Sequence, residues 1–236
     1  NMPRDFWTQV IDIDLPEMVE FERPSGGEDA LEKAAEMLSK AKSPIILNGA
    51  GVVLANAIPA TIKLAERLDA PVCVGYQHND AFPGSHPLFV GPLGYNGSKA
   101  GMQLISEADV VLCLGTRLNP FSTLPGYGMD YWPKDAKIIQ VDINPDRIGL
   151  TKKVAVGIIG DAKKVANSLL DKLSESAGDA GRADRKAKIS QTKSQWAQQL
   201  SSMDHEDDDP GTSWNERARA DKPDWMSPRM AWRAIQ

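Results

Sequence analysis

Short, wholly apolar runs alternate with helical patterns through the middle of this chain. Runs such as 44–47 and 110–114 carry no polar residue, so they lack the polar alternation of a sheet with one face in water. They are also too short for a buried helix. Strands that are apolar on both sides must be covered on both sides. The alternation therefore predicts a parallel sheet with helices on both faces.

The predicted elements form one α/β domain with a parallel, Rossmann-like (doubly wound) sheet, followed by a mostly helical and irregular C-terminal segment. Apolar residues at helical spacing predict a helix around Leu31–Leu38, and three further helices and five strands follow along the chain. The helices are predicted over 58–68, 98–106 and 162–173, and the strands over 44–47, 71–75, 109–115, 137–143 and 154–160.

The composition changes beyond Ser174. A polar helix is predicted over 182–200, with Trp196 as its one large apolar anchor. The acidic run 204–211 indicates a solvated linker rather than a metal site, because adjacent like charges repel and extend the chain. Aromatic residues in a polar tail are typical of segments that dock onto another domain or subunit. They are Trp214, Trp225 and Trp232.

Both ends of the sequence indicate a piece of a longer protein. The first residue is Asn1, and no signal-peptide pattern follows it. Ser227 and Pro228 open a helix that has no C-terminal cap before the last residue. We therefore expect groups needed for the chemistry to lie outside this sequence.

Charge, hydropathy and cysteine content exclude several classes of function. The net charge is −5 and the basic residues are scattered, so we expect no nucleic-acid partner. No apolar stretch reaches the roughly 18 residues that span a membrane. The two cysteines, Cys73 and Cys113, lie in apolar runs and are predicted to be reduced core thiols, which fits the cytoplasm.

Small and polar residues follow four of the predicted strands. In an open parallel sheet, ligands bind beyond the carboxyl ends of the strands. A turn without bulky side chains lets a phosphate approach backbone N–H groups, and an acidic strand end commonly binds ribose hydroxyls. We therefore predict a present or vestigial nucleotide site formed by Gly49, Ala50, Gly51, Gly115, Thr116, Arg117, Asn119, Asp142, Asn144, Gly160 and Asp161.

The loop 75–87 is unusually long and polar for a connection in such a sheet. His78 and His86 are either acid–base or anion-binding groups, or ordinary exposed loop histidines. No Ser-His-Asp arrangement or metal-ligand spacing emerges from the sequence, and the Gly-Asp-Gly motif is absent. No catalytic or metal-binding residue is predicted in this chain.

The strand ends 48–51, 115–117, 141–145 and 160–161 resemble those of the central domain of thiamine-diphosphate enzymes such as acetolactate synthase, pyruvate oxidase and oxalyl-CoA decarboxylase. Longer stretches, 75–88, 91–100 and 118–128, are similar to the sulfoacetaldehyde acetyltransferase family. The likeness runs from Asn1 to about residue 173 and is weaker over 174–226.

The resemblance implies conversion of sulfoacetaldehyde and phosphate to acetyl phosphate and sulfite, with thiamine diphosphate (ThDP) and Mg²⁺ bound outside this chain. It implies a cytoplasmic homodimer or homotetramer. The nucleotide site would hold FAD, ADP or coenzyme A, or stand empty, and FAD would be structural at most. Four residues would reach the substrate channel: Gln77, His78, Tyr95 and Asn96.

The resemblance also divides the chain. Residues 1–26 would be a tail from a preceding pyrimidine-binding domain, 27–175 the central domain, 176–226 a helical and acidic linker, and 227–236 the start of the pyrophosphate-binding domain.

Three alternatives remain open from the sequence. The first is the central domain of another ThDP enzyme, of the acetolactate synthase or oxalyl-CoA decarboxylase type. The second is a sirtuin-like NAD-binding domain, although that fold usually carries a four-cysteine zinc site and this chain has two cysteines. The third is a non-enzymatic module that senses nucleotides or serves as a scaffold.

Overall fold

The computed structural model describes residues 7–10 and 12–205, without the side chains of 203–205. The predicted helix from Ser227, the three tryptophans of the last segment and most of the acidic run lie outside the described residues. The elements are α1 (Glu28–Lys40), β1 (Pro44–Asn48), α2 (Ala50–Leu54), α3 (Ile58–Leu68), β2 (Val72–Gly75), β3 (Phe89–Leu93), α4 (Lys99–Ser106), β4 (Val110–Leu114), β5 (Lys137–Asp142), β6 (Val156–Ile159), α5 (Ala162–Lys172) and α6 (Arg182–His205).

The six strands form one parallel sheet in the order β3-β2-β1-β4-β5-β6. This order is that of a doubly wound fold, in which the chain starts at the centre and builds outwards in both directions. β1, β2 and β4 are buried along their whole length, because helices cover both faces of the sheet. The predicted fold class is confirmed.

Alternate residues of each strand enter two separate cores. Ile46, Leu112 and Val141 face a core formed with α1, α3 and α5. Ile45, Leu47 and Ile138 face the second core, which also holds Met102 of α4 and, from α6, Ile189. The two thiols also lie in the sheet, fully buried, and burial raises the pKa of each. Successive side chains of a strand point to opposite faces of the sheet, so a single apolar run supplies residues to both cores.

Two elements of the sheet domain were not predicted. α2 directly follows the glycine turn after β1, and β3 forms the edge of the sheet beside β2. β3 contains Gly91 and Pro92, which weaken a strand signal and are tolerated at an edge position. The pairing of β2 with β3 also shifts register between Val72 and Cys73.

The polar helix predicted over 182–200 is longer and more firmly held than expected. α6 continues to His205, into the run that was predicted to be a linker. Trp196 packs edge-on against Tyr127, with 5.4 Å between ring centroids, but it is not the only anchor. Ile189 and Arg185 of α6 are buried as well.

Arg185 is the main attachment of α6. Its guanidinium group donates to five backbone carbonyls, those of Lys42, Leu68, Asp69, Gly178 and Ala180, at 2.5–3.0 Å. Five is the full donor capacity of an arginine side chain. Burial lowers the pKa of Arg185, an effect that the nearby Asp69 opposes. The sequence of α6 has the polar pattern of an exposed helix, but the helix contains a buried cation that holds it to the domain.

Candidate functional site

A cavity at the carboxyl ends of the strands lies where the sheet reverses its winding direction. β1 and β4 are neighbours, and the connections that follow them run to opposite sides. Between these connections is a cavity of about 480 Å³. Such a crevice is the usual ligand site of an open α/β sheet. Of the fifteen predicted site residues, the cavity is lined by Gly49, Ala50, Gly51, Gln77, His78, Gly115, Thr116, Arg117, Asn119, Asp142, Gly160 and Asp161.

Close backbone contact between two loops forms the inner wall. The amide of Gly51 donates to the carbonyl of Gly115 (2.9 Å), and the amide of Gly49 donates to that of Leu114 (3.0 Å). A Cβ atom on Gly51 would lie 2.6 Å from the Cα of Gly115. Gly115 itself has φ +58°, a conformation that favours glycine. The amides of Gly49 and Gly51 are thus already bonded to backbone carbonyls. The glycines are required because the two loops lie too close for side chains.

Two arginines at the cavity have side chains without a hydrogen-bond or ion-pair partner among the residues that the structure describes. Arg117 follows β4, and Arg147 belongs to a short 3₁₀ turn after β5. Both are exposed. Free guanidinium groups at the mouth of a pocket suit carboxylate or phosphate ligands, which they bind through paired N–H donors.

A third arginine is already engaged. Arg23, which precedes the domain, donates to Asp161 at 2.9 Å. Asp161 also caps α5, since its other carboxylate oxygen accepts the amides of Lys163 and Lys164. Burial raises the pKa of Asp161, but the bonds from Arg23 and the two amides outweigh it and the net shift is downward. These contacts give Asp161 a structural role, whatever ligand binds beside it.

Asp142 and Asn144 also have local partners. Asp142 accepts the amide of Asn144 at 2.9 Å, and Asn144 accepts that of Asp146 at 2.9 Å. The second bond caps the 3₁₀ turn that carries Arg147. Asp142 lines the cavity, whereas Asn144 does not. Asn144 therefore shapes the turn that presents Arg147.

A buried glutamine ties the two arginine-bearing loops together. Gln140 of β5 donates to the carbonyls of Thr116 and Arg147, both at 3.1 Å. Its carbonyl oxygen accepts the amide of Gly149 at 2.9 Å. The side chain is 1 % exposed, so these bonds form away from water and fix the loop positions.

The rim of the cavity carries two exposed aliphatic side chains. Leu54, at the end of α2, is 77 % exposed, and Ile143, just beyond β5, is 51 % exposed. Most ligand pockets combine an apolar lining with a few polar groups that fix orientation. The rim therefore suits a flat apolar group such as a nucleobase.

The four predicted channel residues separate into two groups. Gln77 and His78 line the cavity. Tyr95 and Asn96 do not; they follow β3, where Tyr95 packs edge-on against Tyr76 at 6.4 Å between centroids. Its backbone amide donates to the carbonyl of Phe121 at 2.9 Å. This aromatic group adjoins the cavity along the chain, because Tyr76 directly precedes the cavity residue Gln77.

Several cavity residues were not singled out from the sequence. Arg23 lies in a segment predicted to be a tail, and Arg147 was assigned no role. Leu54 belongs to the unpredicted α2. The Asn-Pro-Asp-Arg run at 144–147 is a recognisable turn signal. This signal could have indicated from the sequence that Arg147 lies in a turn at the end of a strand.

The two histidines occupy different environments. His78 Nδ1 lies 3.8 Å from an Asp80 carboxylate oxygen. His86 is mostly buried, contacts Glu66 at 3.4 Å and packs edge-on against Phe82. His86 therefore serves the packing of the loop before β3, and only His78 reaches the cavity.

The described residues include no group of three or more His, Cys, Asp or Glu side chains that could hold a metal ion. No helix within the described ranges is long and apolar enough to cross a membrane.

Known proteins share both this fold and long parts of the sequence. Residues 31–169 match the family described as the central domain of thiamine pyrophosphate enzymes. The crystal structure of benzoylformate decarboxylase from Polynucleobacter necessarius superposes with a TM-score of 0.56 at 25 % identity, covering 72 % of this chain and 32 % of that one.

Curated relatives cover the chain to different extents. Sulfoacetaldehyde acetyltransferase from Roseovarius nubinhibens is 79 % identical over all 236 residues, which are 39 % of its length. The enzyme of that name from Castellaniella defragrans is 45 % identical over the whole chain, which matches 40 % of it. The acetolactate synthase large subunit of Corynebacterium glutamicum is 31 % identical over 72 % of the chain and 28 % of its own length.

The chain thus spans about two fifths of the curated relatives that it matches along its whole length. The sheet order, the position of the cavity and the family match agree with each other. They leave no support for the sirtuin-like alternative. The chain belongs to the family of thiamine pyrophosphate enzyme central domains.

Proposed function

We propose that this chain is the central domain of a ThDP-dependent sulfoacetaldehyde acetyltransferase. The main support for this proposal is the 79 % identity to a sulfoacetaldehyde acetyltransferase across the entire chain. Similarity to an acetolactate synthase falls to 31 % and covers only 72 % of the chain. The complete protein would convert sulfoacetaldehyde and phosphate to acetyl phosphate and sulfite.

The chain itself would not carry out the reaction. ThDP, which supplies the nucleophile and electron sink for this chemistry when bound, and Mg²⁺ would be held by residues outside it. Within it, we propose the division made above: 1–26 as a connection from a pyrimidine-binding domain, 27–175 as the sheet domain, 176–226 as the connection that contains α6, and 227–236 as the beginning of a pyrophosphate-binding domain. The complete protein would be a cytoplasmic homodimer or homotetramer.

The test uses the full-length protein with ThDP and Mg²⁺. Sulfite release from sulfoacetaldehyde is followed with and without phosphate, together with acetyl phosphate. We expect phosphate-dependent sulfite and acetyl phosphate in equal amounts. Carbon dioxide release from a 2-oxo acid or an oxalyl thioester, without sulfite, would instead support a ThDP decarboxylase or synthase of the other two types.

We further propose that the cavity holds a nucleotide: FAD, ADP or coenzyme A. Support comes from the guanidinium groups of Arg117 and Arg147, which have no partner among the residues that the structure describes and suit phosphates. The aliphatic pair Leu54 and Ile143 suits a base. Gln77, His78, Tyr95 and Asn96 would lie towards the substrate channel. The reaction contains no net redox step, so FAD would serve only as a structural group.

Titration of the full-length protein with each nucleotide tests this site. We expect stoichiometric binding of one of them and at least a tenfold weaker affinity in Arg117→Ala and Arg147→Ala. Lys33→Ala is the matched control, because Lys33 is exposed on α1 and does not line the cavity. Equal affinities in all variants, or no binding to the wild type, would leave the cavity without a nucleotide role.

A further inference from the structure

The segment 12–22, here called the arm, has a strand-like pattern but no strand partner in the described part of the chain. Ile13, Leu15, Val19 and Phe21 stand at odd positions, and each is 63–84 % exposed. Acidic residues occupy four of the six even positions, namely Asp12, Asp14, Glu20 and Glu22. Glu17 interrupts the apolar odd series, and Glu22 already pairs with Lys164 of its own α5 at 3.5 Å. Alternation with a period of two is typical of a strand that buries one face. A free segment of this kind can extend the edge of a sheet.

The carboxyl end of the arm lies beside β6, and the rest of the arm leads away from that strand. Ser25 forms an isolated antiparallel bridge with Gly160, and the carbonyl of Pro24 accepts the amide of Asp161 at 2.8 Å. In an antiparallel alignment, the residues that precede Ser25 in the sequence extend past Gly160. They point in the direction opposite to Val156, the first residue of β6. The arm therefore cannot pair with the β6 of its own chain without reversing direction.

Among the described residues, β6 is an edge strand with one strand neighbour, β5, and its outer edge is contacted at the carboxyl end by Ser25 and Gly26 of the same chain. The amide of Ala155 donates to Ile138 of β5 at 2.8 Å. Because backbone groups alternate in direction along a strand, the N–H and C=O groups of Val156 and Ile158 point to the outer edge. An open edge of this kind accepts a further strand, and proteins usually protect it.

The surroundings of this edge complement the arm. Leu150 and Ile159 are exposed aliphatic residues, 68 % and 48 % accessible. Lys153 lies before β6 and Lys163 after it, both exposed and without an ion-pair partner among the described residues. An apolar strip between two free lysines matches an apolar face flanked by carboxylates.

We propose that the arm of one copy of this chain adds as a strand to the β6 edge of a second copy. Its odd-numbered apolar residues then cover Leu150 and Ile159, and its carboxylates pair with Lys153 and Lys163. The exchange buries the exposed aliphatic side chains of both copies and protects the edge. This proposal is independent of the reaction and of the ligand in the cavity.

Cross-linking within a mixed population tests the contact directly. Full-length protein labelled with ¹⁵N is mixed with an equal amount of unlabelled protein, and the two are unfolded and refolded together. The mixture is treated with a zero-length carbodiimide, which joins only carboxylates and amines in contact. We expect peptides that join the arm to Lys153 or Lys163, about half of them combining one labelled and one unlabelled partner. Peptides from one label only, or an arm joined solely to other surfaces, would overturn the proposal.

Two arm variants examine the alternation. Val19→Asn removes an apolar side chain from the proposed buried face, whereas Met18→Asn changes a neighbour that is 97 % exposed and stands on the other face. We expect a tenfold loss of mixed-label cross-links for the first and no change for the second. An equal effect of both would contradict pairing through one face.

A charge exchange provides a third measurement. Lys153→Glu should lower the cross-links that the arm forms through Lys163 about tenfold, and combination with Glu20→Lys should restore them. If the second change does not restore them, the proposed pairing of arm carboxylates with the β6 lysines is wrong.

Discussion

At the level of single residues, close backbone packing determines which residues fit at the centre of the sheet, and its glycines are the clearest case. Their pattern, Gly-Ala-Gly, suggested an approach of phosphate to free amides. The structure instead brings Gly51 against Gly115 so closely that no side chain fits between them. The sequence signal was correct in position, but a glycine pattern cannot reveal whether backbone or ligand occupies the adjacent space.

Gly51→Ala is therefore expected to destabilise the domain even without ligand. The added methyl group would lie 2.6 Å from backbone of the opposite loop, and such overpacking costs about 1–3 kcal/mol. Urea unfolding of the full-length protein measures the change. Gly84→Ala is the control, because its Cβ meets nothing within 4 Å; a similar loss there would mean that steric contact is not the cause.

Asp161 should make stability depend on pH. Its pKa is lowered in the folded state, with the contacts to Arg23 and two amides outweighing burial. The resulting stabilisation is present above the pKa of an unfolded aspartate, about 3.9, and is lost as pH falls through the lower folded value. Denaturation at a series of pH values from about 5 downward should show a steeper loss for the wild type than for Asp161→Asn. Parallel curves would contradict the assignment.

Arg185 is expected to be among the most sensitive positions. Arg185→Met leaves five carbonyls without their donor, and an unsatisfied buried polar group typically costs about 1–3 kcal/mol. A total loss of at least about 3 kcal/mol should appear in chemical denaturation. Lys188→Met, which removes only an exposed ion pair with Glu107, should change stability by about 0.5 kcal/mol or less.

At the scale of elements, apolar periodicity located the helices well but missed edge and connecting structure. α3 matches its predicted bounds, and α5 ends one residue early, because each has a continuous apolar stripe and a clear terminal signal. β3 was missed because Gly91 and Pro92 interrupt its pattern. α6 was predicted as a polar helix over 182–200 within a helical and acidic linker. Its buried attachment through Arg185 was missed, since a buried arginine reads as a surface residue in a hydrophobic pattern.

The link between the loops after β4 and β5 can be tested without any ligand. Gln140→Glu replaces the donor group that binds the carbonyls of Thr116 and Arg147 with an acceptor that repels them. We expect at least tenfold faster amide hydrogen exchange at Leu118 and at Ile148, whose amide donates to Pro145 in the turn that carries Arg147, and little change in β1. Exchange that rises uniformly across the sheet would indicate general destabilisation instead of a local role.

For the whole molecule, the fold class and the place of the cavity follow from the sequence, while the strand order and the residues at the mouth of the cavity do not. The strand ends near Gly49 and Gly115 were grouped into one predicted site because ligands bind beyond the carboxyl ends of the strands in an open parallel sheet. Arg23 and Arg147 reach the same cavity from segments with no repeating pattern. Their positions depend on tertiary contacts, namely the pairing with Asp161 and the bonds made by Gln140.

The five bonds of Arg185 also set an order of events during synthesis. The carbonyls of Lys42 and Leu68 leave the ribosome more than a hundred residues before the guanidinium group that satisfies them. Until α6 emerges, the nascent domain carries polar groups that only water or a chaperone can satisfy. A gene fragment that stops at the end of α5 would encode every strand of the sheet and still produce a polypeptide prone to degradation.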